Sequence, residues 1–94
     1  MATSKSTGNI KKRKPRRRRL HIYLLNDEHN SFEYVIKVLM AVLGHNVYQA
    51  EQCAMITHEA GKCHVHSALG TEAYLIYEVL AKHGLTVKLT PKKL

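Results

Sequence analysis

The sequence predicts one α+β domain of βααβαβ order, with three helices on a small antiparallel sheet, preceded by a disordered basic tail. Three observations indicate this class. The 94 residues are enough for one domain and leave no room for a second. Three segments are predicted to be helices, two of them from apolar residues at helical spacing, and each is followed by a glycine that can end it. The shorter apolar segments beside them are typical of strands.

The first 19 residues differ in composition from the rest of the chain. They carry nine Lys or Arg and no acid, and Pro15 lies among them. Like charges that repel each other, with few large apolar residues, predict that this tail is disordered. Residues 20–94 hold six Lys against seven acids, so we expect a nearly neutral body that is a poor surface for phosphates. We therefore predict a basic extension over 1–19 and a folded domain over 20–94.

The folded domain begins with a predicted strand and helix. The segment LHIYLL, residues 20–25, has apolar residues on both faces, as expected of a strand that helices cover. A polar turn follows, in which Asn30 or Ser31 can cap a helix that begins at about Phe32. Apolar residues then recur at helical spacing until Gly44, which ends the helix as a left-handed terminal residue.

The middle of the chain predicts a second helix and a second strand. Asn46 can cap a helix over residues 47–60, and Gly61 is placed to terminate it. Two short helices in succession form a hairpin. The segment KCHVHS, residues 62–67, alternates in a way that is compatible with a strand.

The last third of the folded domain predicts a helix and a final strand. Thr71 is placed to cap a helix over residues 72–83, which Gly84 ends. The segment LTVKLT, residues 85–90, then alternates as a strand does. The predicted apolar side of the helix consists of Ala73, Leu75, Ile76, Val79 and Leu80.

Cysteine use and hydropathy indicate where the chain functions. There are two cysteines, Cys53 and Cys63, and no apolar segment of signal-peptide length. We therefore expect both thiols to be free in a reducing, cytoplasmic setting. No stretch approaches the roughly 18 consecutive apolar residues of a membrane helix.

The turn Asn26-Asp27-Glu28 is the first candidate site, because it places an amide oxygen and two carboxylates beside an apolar helix start. Such groups suit a cationic ligand, although a plain capping turn has the same composition. His58 lies near the end of the second predicted helix. In a strand-helix-helix unit this end returns toward the start of the first helix, so His58 is expected over the acidic turn. Together these groups predict a pocket for an amine that carries a hydrophobic side chain.

Two other kinds of function remain open from the residues alone. His58, Cys63, His64 and His66 form the pattern H-x4-C-H-x-H, which could hold a metal but matches none of the usual structural zinc spacings. Catalysis by either cysteine has no support, since nothing in the sequence lowers a thiol pKa or supplies an oxyanion hole. The run KKRKPRRRR is a generic polycation, and it allows an RNA- or ribosome-binding protein that acts through its tail. We expect no cofactor.

Two segments resemble a known family. LLNDEHNSFEYVIKVLM is similar to the signature of the ClpS adaptors of the bacterial N-end rule pathway, which runs LLNDD, a few turn residues, MEFV and an apolar helix. TH-x-x-GK at residues 57–62 resembles the VH-x-x-GK of that family, and the spacing between the two segments agrees without a gap. The resemblance covers about residues 20–90, and the family has the βααβαβ order predicted above.

The resemblance implies an adaptor and not an enzyme. ClpS adaptors recognise proteins that begin with Leu, Phe, Tyr or Trp and pass them to a Clp-family AAA+ unfoldase, ClpA-like or ClpC-like, with its peptidase. In this family a flexible N-terminal extension engages the unfoldase, and the resemblance implies that residues 1–19 occupy the position of that extension here. The residues matching the family positions that bind the substrate α-amino group are Asn26, an acid of the Asp27-Glu28 pair, and His58. Those matching the side-chain pocket are Phe32, Val35, Ala54 and Thr57.

This chain departs from the family pattern within the matched site. Glu28 stands where the family usually has a second Asp, so its carboxylate reaches one methylene further. Phe32 replaces the usual Met, while Ala54 and Thr57 replace larger or more apolar residues. The preference among first residues is therefore expected to differ from that of a typical member.

Overall fold

The computed structural model describes residues 18–94 and confirms both the α+β class and the βααβαβ order. The three strands form one antiparallel sheet, with Arg19–Leu25 in the centre and Lys62–Leu69 and Val87–Thr90 at its edges. The predicted disorder of residues 1–19 falls almost wholly on residues 1–17, which lie outside the described residues. The elements are β1 (Arg19–Leu25), α1 (Phe32–Leu43), α2 (Val47–Ala60), β2 (Lys62–Leu69), α3 (Gly70–Lys82) and β3 (Val87–Thr90).

The first two helices begin and end where the sequence predicts. The Ser31 side chain accepts a hydrogen bond from the backbone N–H of Tyr34, which satisfies a free donor at the start of α1. Asn46 and Gln49 form a reciprocal capping box at the start of α2. Both helices end at glycines with positive φ, Gly44 at 74° and Gly61 at 93°, a conformation that costs other residues energy.

The start of the third helix differs from the prediction. Thr71 lies inside α3 and does not cap it; the residue before the helix is Leu69, which makes no side-chain capping bond. The backbone N–H of Gly70 instead donates to the carbonyl of Arg18, 3.1 Å away. Strand β2 therefore runs directly into α3, and a contact across the sheet replaces the local cap. The other differences are small. Strand β1 begins one residue earlier than predicted, β2 ends two residues later, β3 begins two residues later, and α3 ends one residue earlier, at Lys82.

The buried side of α3 is narrower than predicted. Ala73 and Leu80 are fully buried, and Ile76 packs against the core as expected. Leu75 and Val79, however, are 57% and 41% exposed, so their assignment to the apolar side was wrong. The partly buried Tyr77 contributes to the core in addition, although it was not among the predicted residues.

The hydrophobic core lies between the helices and one face of the sheet. Ile22 and Leu24 of the central strand are almost completely buried and point to the same side, as alternate strand residues do. The helices contribute Val38, Leu39, Ala50 and Leu80 to the same cluster. Among residues 18–94, no helix is long and apolar enough to cross a membrane.

The end of β1 is held on both sides by backbone hydrogen bonds. The N–H of Leu25 donates to the carbonyl of Thr86 at 2.8 Å, and the N–H of Asn26 donates to the carbonyl of Gly61 at 3.1 Å. These bonds place the turn after β1 between the end of α2 and the segment that leads into β3.

Candidate functional site

A cavity of about 430 Å³ opens at the end of β1, where α1 begins and α2 ends. All eight residues predicted for the binding site line it: Asn26, Asp27, Glu28, Phe32, Val35, Ala54, Thr57 and His58. The structure thus brings together residues that are more than 30 positions apart in the sequence. Their role in binding a substrate stays a prediction.

The inner wall of the cavity is apolar. Val35 of α1 is partly buried, and Ala54 of α2 is 5% exposed. Leu24 and Leu85, at 2% and 5%, contribute from the two strand ends. Phe32 is 43% exposed, because it is the first residue of α1, and its ring lines the cavity where it meets solvent.

Thr57 is buried, but its hydroxyl group is already satisfied. The Oγ1 atom donates a hydrogen bond of 2.7 Å to the carbonyl of Cys53, one turn earlier in α2. A buried threonine with its hydroxyl bound to its own helix presents its methyl group to the surroundings. Thr57 therefore adds an apolar surface to the cavity and leaves no unpaired polar atom there.

Asp27 is held by four hydrogen bonds from the protein itself. Its Oδ1 accepts from the backbone N–H groups of His29 and Asn30, both at 3.0 Å. Its Oδ2 accepts from the side-chain amide of Asn30 at 3.0 Å and from the hydroxyl of Thr86 at 2.7 Å. Partial burial alone would raise the pKa of this carboxyl, but the bonds from Thr86, Asn30 and His29 outweigh it and lower the pKa to about 2.

These bonds make Asp27 the anchor of the turn. Asn30 extends the network, because its amide also donates to the carbonyl of Gly84 at 2.9 Å. The turn after β1 is therefore tied to the segment between α3 and β3. Since both oxygens of Asp27 are engaged, this carboxylate has little capacity left for a ligand.

The side chains of Asn26, Glu28 and His58 differ from that of Asp27 in their hydrogen bonding. All three side chains are exposed and line the cavity, and none makes a hydrogen bond or an ion pair within residues 18–94. They supply an amide oxygen, a carboxylate and an imidazole nitrogen, each of which can accept a hydrogen bond. The outer part of the cavity thus combines the Glu28 carboxylate with an amide oxygen and an imidazole ring.

Sequence reasoning missed four lining residues: Leu24, Leu25, Asn30 and Leu85. Asn30 was identified as a possible helix cap, but in the structure it bonds to Asp27 and Gly84 instead. Leu85 is distant from the turn in the sequence, and no local pattern links the two. Only the antiparallel pairing of β1 with β3 brings it to the cavity.

The residues of the possible metal pattern do not converge. Cys63 is buried in the core, and burial, assisted by the neighbouring Cys53 thiol, raises its pKa to about 12. His64 instead contacts His21, with 3.0 Å between Nε2 and Nδ1. Within residues 18–94, no group of three or more His, Cys, Asp or Glu side chains is arranged to hold a metal ion. Both cysteines are free thiols, and a thiol with so high a pKa is a poor nucleophile.

The chain matches the family model described as ATP-dependent Clp protease adaptor protein ClpS over residues 15–88. No curated protein matches it. Among solved structures, it is similar to that of Agrobacterium tumefaciens ClpS2 bound to L-phenylalaninamide, with a TM-score of 0.67 and 23% sequence identity. The similarity covers 80% of this chain and 98% of the ClpS2 chain, and at this identity it shows the fold. Because the family model spans most of the sequence, the protein belongs to the ClpS family, whose members are adaptors of the Clp protease and not enzymes.

Proposed function

We propose that this Clp protease adaptor captures proteins by a bulky hydrophobic N-terminal residue, Leu, Phe, Tyr or Trp, and delivers them to a ClpA-like or ClpC-like AAA+ unfoldase. The observation that carries the proposal is a cavity with an apolar interior and three exposed acceptors around it that have no partner among residues 18–94. An N-terminal residue has the complementary form, an ammonium group attached to an apolar side chain.

The substrate ammonium is bound by Asn26, Glu28 and His58. An ammonium offers only donors, and these three side chains offer acceptors that no other described residue uses. Glu28, and not Asp27, supplies the carboxylate, because four internal hydrogen bonds already occupy Asp27. Hydrogen bonds to a charged partner are roughly twice as strong as neutral ones, so Glu28 contributes most to the recognition of the charge.

The first side chain of the substrate enters the apolar part of the cavity. Val35, Ala54 and the methyl group of Thr57 provide its walls, with Leu24 and Leu85 beneath. The volume of about 430 Å³ lies in the range of sites that enclose a small organic group. Phe32, half exposed at the opening, can cover an aromatic or branched side chain after it has entered.

The ligand of the similar structure has this chemistry. L-phenylalaninamide, to which Agrobacterium ClpS2 is bound, carries a free α-amino group and a phenyl ring. An amine of this kind satisfies the acceptors proposed here, and its ring fits an apolar pocket. The basic extension over residues 1–19 holds the place of the segment that the family uses to engage its unfoldase.

Binding of labelled peptides by fluorescence anisotropy tests the proposal. Four peptides differ only in their first residue: Phe, Leu, Ala and N-acetylated Phe. We expect Phe and Leu to bind at least tenfold more tightly than Ala, about 1.4 kcal/mol, and acetylation to abolish binding. Equal affinity for all four peptides would exclude an amine pocket.

Two glutamates provide a matched pair of variants. Glu28→Gln removes the proposed ammonium ligand, whereas Glu33→Gln removes the same charge from an exposed residue in the first turn of α1. We expect Glu28→Gln to weaken the Phe peptide about tenfold or more and Glu33→Gln to change affinity less than about twofold. If both variants lose affinity alike, the effect of Glu28 is one of general charge and not of direct contact.

A further inference from the structure

The charges of the folded part are divided between its two layers. The three strands and the four residues after β3 hold no acid and five basic residues: Arg19, Lys62, Lys88, Lys92 and Lys93. Residues 26–61 and 70–86, which contain the helices, hold all seven acids and only two lysines, Lys37 and Lys82. The nearly neutral total therefore consists of a basic sheet and an acidic helical layer, a division that the sequence total did not reveal.

The basic residues include several on the side of the sheet that the helices do not cover. Ile22 and Leu24 face the core, so the alternate residues of β1 face the other way. Tyr23 lies opposite His64 in β2 and Lys88 in β3, and residues directly opposite each other share a face. We call this side the outer face; its strand residues are Arg19, His21, Tyr23 and Leu25 of β1, Lys62, His64, Ser67 and Leu69 of β2, and Lys88 and Thr90 of β3.

The outer face combines cations with partly exposed rings. His21 and His64 are partly buried, with ring centroids 5.1 Å apart, and Tyr23 lies beneath them at 4% exposure. The hydroxyl of Tyr23 accepts a hydrogen bond of 2.8 Å from the N–H of Leu94, so the residues after β3 run along this face and bring Lys93 with them. At the other end of the outer face, Arg19 donates a hydrogen bond of 3.2 Å to the hydroxyl of Ser67.

The surroundings of His64 oppose a positive charge on its ring. Burial first, and then the neighbouring His21, Lys93 and His66, lower the pKa of His64. The ring of Tyr23, on the neighbouring strand, also lies 5.1 Å from that of His64, and no acid is present on the three strands. The lysines and arginine that bring positive charge to this face are Arg19, Lys62, Lys88 and Lys93.

The segment that precedes the sheet has the same sign. Residues 1–17 contain seven Lys or Arg and no acid, and they join the sheet through Arg18, whose carbonyl accepts the N–H of Gly70. A segment of the same sign cannot neutralise the charge of the outer face. The complementary partner for both is a polyanion.

We propose that the outer face is a binding surface for single-stranded RNA. Arg19, Lys88 and Lys93 neutralise phosphates, and the partly exposed rings of His21 and His64 stack on bases, as ring side chains on sheets do in single-strand recognition. An anionic membrane fits less well, because few large apolar side chains are exposed on this side of the described residues. They are Leu69, opposite Arg19 at one end of the sheet, and Leu94, whose N–H bonds to Tyr23 in the middle of β1.

A pair of double variants of the full chain tests this surface. Lys88→Glu with Lys93→Glu reverses two charges on the outer face, whereas Lys37→Glu with Lys82→Glu reverses two charges in the helical layer and gives the same net charge. Binding of a fluorescein-labelled oligouridylate of about twelve nucleotides is followed by anisotropy at about 50 and 200 mM salt. Circular dichroism and thermal melting check that both variants are folded.

The two variants are expected to behave differently. The outer-face variant should bind RNA at least tenfold more weakly at low salt, and its log–log salt slope should be smaller by about 1.4, as two lost contacts imply. The helical-layer variant should stay within about threefold of the original protein. Equal losses in both would assign RNA binding to net charge and the N-terminal segment, and would overturn the proposal.

Two further outcomes would also overturn it. One is that the unmodified protein fails to bind the oligonucleotide even at low salt. The other is that the outer-face variant binds phosphatidylglycerol vesicles more weakly than the original protein does, but binds RNA equally well. That result would make the surface a lipid-binding one. Peptide capture by the cavity is measured separately, so a failure of the adaptor proposal does not affect this result.

Discussion

Replacing Asp27 by Asn tests whether this carboxylate stabilises the fold and does not bind the substrate. A carboxyl whose pKa falls from 3.8 to about 2 on folding stabilises the native state by about 2.4 kcal/mol at pH 7. Asp27 is partly exposed, so solvent screening reduces this value, and we expect Asp27→Asn to cost about 1 to 2 kcal/mol. In a domain of this size the melting temperature should fall by about 4 to 16 °C.

The pH dependence separates this effect from a general loss of packing. Because the folded-state pKa is the lower one, the stabilisation is present above about pH 4 and is lost as pH falls through about 2. The cost of Asp27→Asn, measured by urea denaturation with circular dichroism, should therefore be largest at pH 7 and shrink toward pH 2.5. A cost that stays the same at both pH values would refute the electrostatic explanation.

Glu28→Gln is the matched control, because it makes the same chemical change one residue later. We expect it to leave the free energy of unfolding within about 0.5 kcal/mol, since Glu28 makes no bond within the described residues. In the peptide assay the order reverses: Glu28→Gln loses affinity and folded Asp27→Asn retains most of it. If Asp27→Asn is stable but does not bind the peptide, the roles assigned to the two acids are wrong.

Three further predictions concern the fold. Leu39→Ala should cost about 2 to 5 kcal/mol in urea denaturation, because Leu39 is fully buried. Leu75→Ala, at a residue 57% exposed, should cost less than about 0.5 kcal/mol. Similar costs for the two variants would contradict the burial described. Gly44→Ala should cost about 1 kcal/mol from strain at a φ of 74°, since nothing obstructs the new methyl group, and a neutral change in melting temperature would disagree with that conformation. Burial and nearby positive charges lower the pKa of His64 below 6.5, so protonation favours the unfolded chain, and His64 should reduce stability as pH falls below about 6.5. A His64→Gln variant should therefore lose less stability than the original protein between pH 8 and 5.5. An equal loss would speak against this role.

The sequence by itself determined the local structure of the first two helices and the family. Ser31, Asn46, Gly44 and Gly61 act on groups within four residues of themselves, so their effects can be seen in the sequence. The same is true of the spacing of apolar residues along α1. The NDE turn and TH-x-x-GK segments resembled the ClpS family, and the family model confirms that assignment.

Tertiary structure decided the start of α3 and the role of each acid in the turn. The N–H of Gly70 bonds to the carbonyl of Arg18, a partner about fifty residues away, so no capping residue is needed where the sequence suggested Thr71. Asp27 and Glu28 are equivalent candidates in the sequence, but the hydroxyl of Thr86, 59 residues later, binds only Asp27. Long-range hydrogen bonds of this kind have no local pattern.

The distribution of charge has the same origin. Counted along the chain, residues 20–94 are nearly neutral and were predicted to be a poor surface for phosphates. In the structure, basic residues distant in sequence, such as Arg19 and Lys88, lie on one side of the sheet, while the acids lie in the turn and the helices. A net charge is a sum over residues, but the potential at a surface depends on where folding places each one.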